Sequence, residues 1–195
     1  MKPNNSALQH GNDDRYFRDV VTSLMQTDAL RMQCLRAVRE LALPQGYIGA
    51  GFLRNAIWDY LHAKNASTEL NDVDVIYFCP SSAKSADAKL QTVLANALPS
   101  VNWEVKNQAH MHKKHGHAPY ENCEQAISYW VEQETCVAVR LTNKDGIEVL
   151  APFGLSANFA STISLSPKFK RKEILMQRVQ QKAWLTQWPN LQLKV

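Results

Sequence analysis

The chain has 195 residues, 45% of them hydrophobic, with no low-complexity tract and no internal repeat, so it is sized for one domain with a substantial core rather than a disordered or repeat protein. Its formal net charge of +4 is mildly basic, which suits a polyanionic partner or an anionic substrate. The polar N-terminus has no signal-peptide run, no segment reaches the roughly 18 apolar residues of a membrane span, and Cys34, Cys79, Cys123 and Cys136 lack CxxC spacing; the expectation is a cytoplasmic protein with reduced cysteines and no membrane partner.

Residues 14 to 43 read as two helices, the first with Phe17, Val20, Val21 and Leu24 at helical spacing, the second capped by Asp28 and ended by Pro44 and Gly46. Tyr47-Ile48 is a short extended piece leading into Gly49, Ala50 and Gly51. Residues 51 to 62 form an amphipathic helix with Phe52, Leu53, Ala56, Ile57, Tyr60 and Leu61 on one face. "NDVDVIYFCP" is a strand with a proline stop, "SADAKLQTVLANAL" a helix opened by Ser85 or Asp87, and "VNWEVKNQ" a second strand. "HMHKKHGHAPYEN" is a polar loop and "CEQAISYWVEQE" a helix. "TCVAVRL" and "IEVLAP" form a hairpin around an Asp-Gly turn. The chain then reads as loop after Pro152, followed by one basic helix over residues 168 to 187. The order argues α/β or α+β, a small mixed sheet covered by helices.

Asp72 and Asp74 are the chemical focus. A strand repeats every two residues, so both carboxylates face the same way, and two acids that close repel unless a cation or solvent screens them. A divalent metal held by both is one explanation. A turn residue followed by a solvated strand start is the other.

The order of a glycine turn, a helix and a strand carrying Asp-x-Asp resembles the nucleotidyltransferases of the DNA polymerase beta type. "AGFLRN" and "NDVDV" resemble the GGxVRD and DhDh motif pair of the head domain of CCA-adding enzymes and poly(A) polymerases, with Ala50-Gly51 at Gly-Gly, Leu53-Arg54 at Val-Arg and Asn55 in place of Asp. Residues 47 to 152 also resemble a bacterial family of nucleotidyltransferase-like proteins, through "GAGFLRNAIWDYLH", "DVDVIYF", "WEVKNQAHMH" and "IEVLAPFGL". The resemblance implies a polymerase beta-like core over 47 to 152, carrying the two N-terminal helices and the basic C-terminal helix within a single domain. It implies a reaction in which a nucleoside monophosphate moves from an NTP to an unidentified hydroxyl acceptor, with Mg²⁺ or Mn²⁺ held by Asp72 and Asp74. A catalytically weak nucleotide- or RNA-binding module on the same fold is the alternative. No Glu-Asp dipeptide of the type that selects the base occurs, and the length does not accommodate the tRNA-gripping domains of a CCA-adding enzyme, so CCA addition is not expected.

Such sites use a third carboxylate, and Glu104 and Glu148 are the candidates. Glu148 is preferred, because the hairpin resembles the head-domain hairpin with an acid on its returning strand and because Lys106 shares a strand face with Glu104. Backbone N–H groups at Gly49, Ala50 and Gly51 are expected to hold phosphates at a helix N-terminus, with Arg54 either adding charge or pairing with Asp59, and Asn55 beside it. Lys106, Asn107 and Gln108 resemble a substrate-contacting family segment. The histidines 110, 112, 115 and 117 have no Cys or acid at zinc spacing and read as a solvated loop near the site rather than a metal site. Arg171, Arg178 and Lys182 fall on one side of the last helix, and a solvated face is the more common meaning of such a pattern, with nucleic-acid binding the alternative. Arg140 has no assigned task.

Overall fold

In this computed structural model the backbone is described for residues 5–194 and the side chains for residues 13–194; the first residues of the polar N-terminus lie outside that range. Helices α1 (Asn5–Thr27) and α2 (Ala29–Glu40) match the two expected helices. Asp28 caps α2 by accepting from the Arg31 amide at 2.9 Å. Then come β1 (Tyr47–Gly49), α3 (Gly51–Leu61), β2 (Val73–Tyr77), α4 (Ala86–Ala97) and β3 (Trp103–Asn107).

The strands join β4 (Ala138–Leu141) and β5 (Ile147–Leu150) in a mixed sheet of order β3-β2-β1-β4-β5. β2 and β3 run parallel because α4 carries the chain back, and the remaining pairs are antiparallel. The Asp-Gly hairpin forms as expected, with Asp145 at φ 59° in the turn. Val75, Ile48 and Val139 line up across neighbouring strands and bury one sheet face against Val21, Met25, Leu35, Phe52 and Leu53 from α1, α2 and α3. The other face carries Asp74 and Ile76 and is partly covered by α6 (Cys123–Ile127), through Cys123 and Ile127 against Ile76 and Tyr47.

Several expectations change. The histidine segment is a 3₁₀ turn over Gln108–His110 followed by α5 (Met111–His115), ended by Gly116 at φ 67°. The helix expected from Cys123 stops at Ile127, and Glu132 instead bridges to Leu165. The stretch after Pro152 contains α7 (Ser156–Phe159) and β6 (Thr162–Ser164). The basic helix is two helices, α8 (Lys172–Gln181) and α9 (Trp184–Gln187), broken where Ala183 adopts φ 49°. A last strand, β7 (Gln192–Lys194), pairs parallel to β6. This C-terminal part docks through a tryptophan cluster: Trp184 and Trp188 meet Trp58 of α3 edge-on at 5.7 and 5.1 Å. Among the described residues no helix is long and apolar enough to cross a membrane.

Candidate active site

A cleft of about 630 Å³ lies over the starts of β2 and β3. Asp72 and Asp74 line it, as the same-face spacing predicts, and Glu104 joins them because Asp74 and Glu104 are direct partners in the parallel β2–β3 pair. None of the three carboxylates accepts a hydrogen bond or ion pair from another described side chain. Burial, together with the Asp72 and Glu104 charges, raises the Asp74 carboxyl to about 6 against the pull of Arg54 and Lys182.

The first turn of α3 opens onto the same cleft with Ala50, Gly51, Arg54 and Asn55. Ala50 is the residue before the helix and holds φ 55°, ψ −125°, a conformation that favours glycine and strains a residue with a Cβ. Arg54 is buried, donating to the Thr135 hydroxyl at 2.8 Å and to Asn55 Oδ1 at 2.9 Å. Its guanidinium lies against the rings of both Trp58 (4.8 Å) and Trp184 (4.5 Å). Burial lowers its pKa to about 10, so it stays charged at neutral pH, and its Nε is buried without a partner. The alternative pairing with Asp59 does not occur: Asp59 accepts from Trp188 Nε1 at 2.7 Å and from Thr68, and pairs with Lys64.

Two groups of cleft residues come from outside the predicted motifs. Arg178 and Lys182 reach in from the C-terminal part, with Arg178 Nε held 2.5 Å from the fully buried Glu132. Lys114, His115, His117, Tyr120 and Tyr129 form a wall built by α5 and the segment after it. The steps of seven and four among Arg171, Arg178 and Lys182 were the available signal for the first group, and all three border the cleft, Arg171 and Lys182 exposed to solvent as well.

Other predicted residues sit elsewhere. Glu148 shares the sheet face of Asp74 but stands on β5, three strand spacings away, roughly 14 Å. It accepts from the Tyr47 hydroxyl at 2.6 Å and from Arg140 at 2.7 Å, and against the upward push of burial these two partners hold its carboxyl below the ordinary range. It borders a separate groove with Arg39 and Lys144. The structure thus sets Glu148 apart from Asp72 and Asp74 and puts Glu104 beside Asp74, and Glu104 forms no ion pair with Lys106, whose strand partner is Ile76. Lys106 and Gln108 line the cleft, but Asn107 is buried and spends its side chain on Cys79 N, Cys79 O and Ala109 N. Gly49 is a packing glycine, since a Cβ there would stand 2.9 Å from the Trp130 ring. His110 and His112 bond backbone carbonyls of Ser82 and Ala109.

The residues present fit a hard divalent cation. Asp72, Asp74 and Glu104 are an all-oxygen, anionic donor set of the kind Mg²⁺ and Mn²⁺ prefer, and the raised Asp74 marks a point short of positive charge. Among the described residues no three His, Cys, Asp or Glu side chains already converge to ligand distance, so an ion would have to draw these carboxylates together.

A family model described as "Nucleotidyltransferase" matches residues 36–193. Among solved structures, a protein whose NMR structure is described as revealing a CCA-adding enzyme head domain is 30% identical, with a TM-score of 0.79 over 89% of this chain and 94% of that chain. A CCA-adding enzyme in complex with CTP has a TM-score of 0.51 at 10% identity, a likeness of fold alone, over 86% of this chain and 47% of that one. The chain thus spans about half the length of that enzyme. No curated protein matches the chain.

Proposed function

The chain belongs to the nucleotidyltransferase family, and from that premise we propose that it transfers a nucleoside monophosphate from an NTP to a hydroxyl acceptor and releases pyrophosphate. The observation that carries this reading is the set of unpartnered carboxylates Asp72, Asp74 and Glu104 beside the first turn of α3 in one cleft. The acceptor oxygen forms a bond to the α-phosphorus, and the bond from that phosphorus to the oxygen shared with the β-phosphate breaks. The hydroxyl proton passes to a carboxylate, for which exposed Glu104 beside Asp74 is the accessible choice.

The β- and γ-phosphates fit the free N–H groups at the start of α3, an eleven-residue helix whose dipole favours anions. Arg54 adds a fixed positive charge there, and exposed Lys182 adds another. Asp72, Asp74 and Glu104 would hold Mg²⁺ or Mn²⁺. Such an ion, when bound, polarises the phosphoryl oxygens and makes the acceptor hydroxyl more acidic.

Incubation of the protein with labelled NTPs, Mg²⁺ and a panel of hydroxyl acceptors tests this. Turnover that disappears in both Asp72→Ala and Asp74→Ala supports it, and a folded wild-type protein with no metal-dependent NTP binding contradicts it. A second reading, a nucleotide-binding module without turnover, is favoured by one observation: Ala50 carries a Cβ in the strained turn where the head-domain motif has glycine. NTP binding without turnover across the acceptor panel would select it.

A further inference from the structure

Resting on the nucleotidyltransferase reading, we propose that the cleft wall built by α5 and the segment after it is the acceptor subsite, and that it takes a nucleotide unit, a planar base bearing a phosphate. Four rings pack along this wall, with His117, Tyr129 and Tyr120 in mutual contact and His115 at the edge of the cluster. His115 lies 5.8 Å from His117 at 29°, His117 lies 4.4 Å from Tyr129 at 39°, and Tyr129 lies 5.5 Å from Tyr120 at 22°. The inner end is fixed: Tyr120 is buried, and its hydroxyl is 2.6 Å from His117 Nδ1. His115, joined to the cluster through His117, is exposed and borders the cleft, where it can meet a ring supplied by a ligand.

The charge beside the cluster points to phosphate. Lys114 and Arg171 border the same part of the cleft, are exposed, and enter no ion pair among the described residues. Lys168 Nζ sits 4.8 Å from the centre of the Tyr129 ring, so the wall is basic as well as aromatic. Burial, then His117, Lys114 and Arg171, holds the His115 imidazole below its ordinary pKa, which keeps it a neutral stacking surface at pH 7. A cluster of rings with an accessible face, and unpaired cations at its side, is the arrangement that binds a base and its phosphate without strong base preference. The polyphosphate of the NTP is already provided for by α3, Arg54 and Lys182, so these cations are free for a second anionic ligand.

Two sources share this chemistry: a free nucleoside 5′-monophosphate, and the terminal nucleotide of a single strand. The test uses AMP and a fluorescently labelled eight-nucleotide oligo(A), each titrated into the protein with Mg²⁺ and a non-hydrolysable ATP analogue present, read by thermal shift and by anisotropy. His115→Ala and Arg171→Ala are both surface changes. Each is expected to weaken AMP or oligo(A) binding by about 10-fold or more while leaving the stabilisation by Mg²⁺ and the ATP analogue unchanged. Binding of oligo(A) but not AMP, with a steep loss between low and moderate salt, assigns the strand end; binding of AMP with a shallow salt dependence assigns the free nucleotide. The proposal is overturned if neither probe binds a wild-type protein that does bind the ATP analogue, or if the two substitutions weaken the ATP analogue itself, which would make the wall the seat of the NTP's own base. Failure of the analogue to stabilise wild-type protein would instead count against the nucleotidyltransferase reading.

Discussion

Two stretches of the same sheet face hold glutamate and aspartate in opposite circumstances. Over the starts of β2 and β3, Asp72, Asp74 and Glu104 stand together with no partner among the described side chains, and burial and mutual repulsion raise Asp74 to about 6. At the β5 edge, Glu148 accepts from the Tyr47 hydroxyl and from Arg140, and its carboxyl is held below the ordinary range. The paired acid fastens the hairpin to β1. Ionised Asp74 costs folding free energy, and a protein retains such a cost where a ligand or a reaction uses it.

The largest expected effect separates the two regions by activity. Asp72→Asn or Asp74→Asn should lower turnover by about 10²- to 10³-fold or more, measured with labelled NTP, because charge placed where the transition state needs it is lost. The same Asp74→Asn change should stabilise the protein in the absence of metal. Asp74 has a folded pKa raised from 3.8 to about 6, so between those values the folded state binds more protons than the unfolded state. Its unfavourable contribution is therefore absent below the unfolded pKa and grows as pH rises to about 6. At pH 7 the variant should be more stable by roughly 2 kcal/mol, and urea melts from pH 4 to 7.5 should show wild type losing stability against it across that window.

Glu104→Gln and Glu148→Gln sharpen the contrast. The first is expected to cut turnover by about 10²-fold with little change in melting temperature, and the second to leave turnover within about 2-fold. Glu148 and Arg140 are half-exposed, so losing that charged contact should cost only about 0.5 to 1 kcal/mol, read by denaturant melts. The smallest effect belongs to the turn between β1 and α3. Ala50→Gly relieves the strain at φ 55° against glycine's greater chain entropy, and a net gain of about 0.5 to 1 kcal/mol is expected.

Much of this architecture was legible from short-range pattern. The Asp28 cap, the extent of α3, the Asp-Gly hairpin and the two-residue spacing of Asp72 and Asp74 are each decided within a few residues, whereas the faces of α3 are not: Tyr60, expected on the apolar side, is exposed, and Arg54, Trp58 and Asp59 are buried. The acid beside Asp74 was not legible this way, because its identity depends on which strand lies beside β2. One signal was available: a strand, a helix and a strand in succession favour a parallel neighbour, which places Glu104 rather than Glu148 next to Asp74. Lys106 does share the cleft-facing side of β3 with Glu104, but the two form no ion pair. Asn107 and Gly49 looked like ligand contacts by residue type, but Cys79 and Trp130, distant in sequence, decide their roles. The C-terminal contribution was hidden for two reasons: β6, β7 and α9 are too short to show a period, and the stacking of Trp184 on Arg54 joins residues far apart in sequence.

The most direct test of the central assignment is a thermal-shift titration of Mg²⁺ with a non-hydrolysable NTP analogue, run in parallel on wild type, Glu104→Gln and Glu148→Gln. Ligand that binds only the folded state stabilises it by about 2.7 kcal/mol at a hundred times its Kd. Wild type and Glu148→Gln are expected to show the same metal-dependent stabilisation, and Glu104→Gln to lose most of it. Retention in Glu104→Gln together with loss in Glu148→Gln would contradict the placement of the site at the β2–β3 end of the sheet.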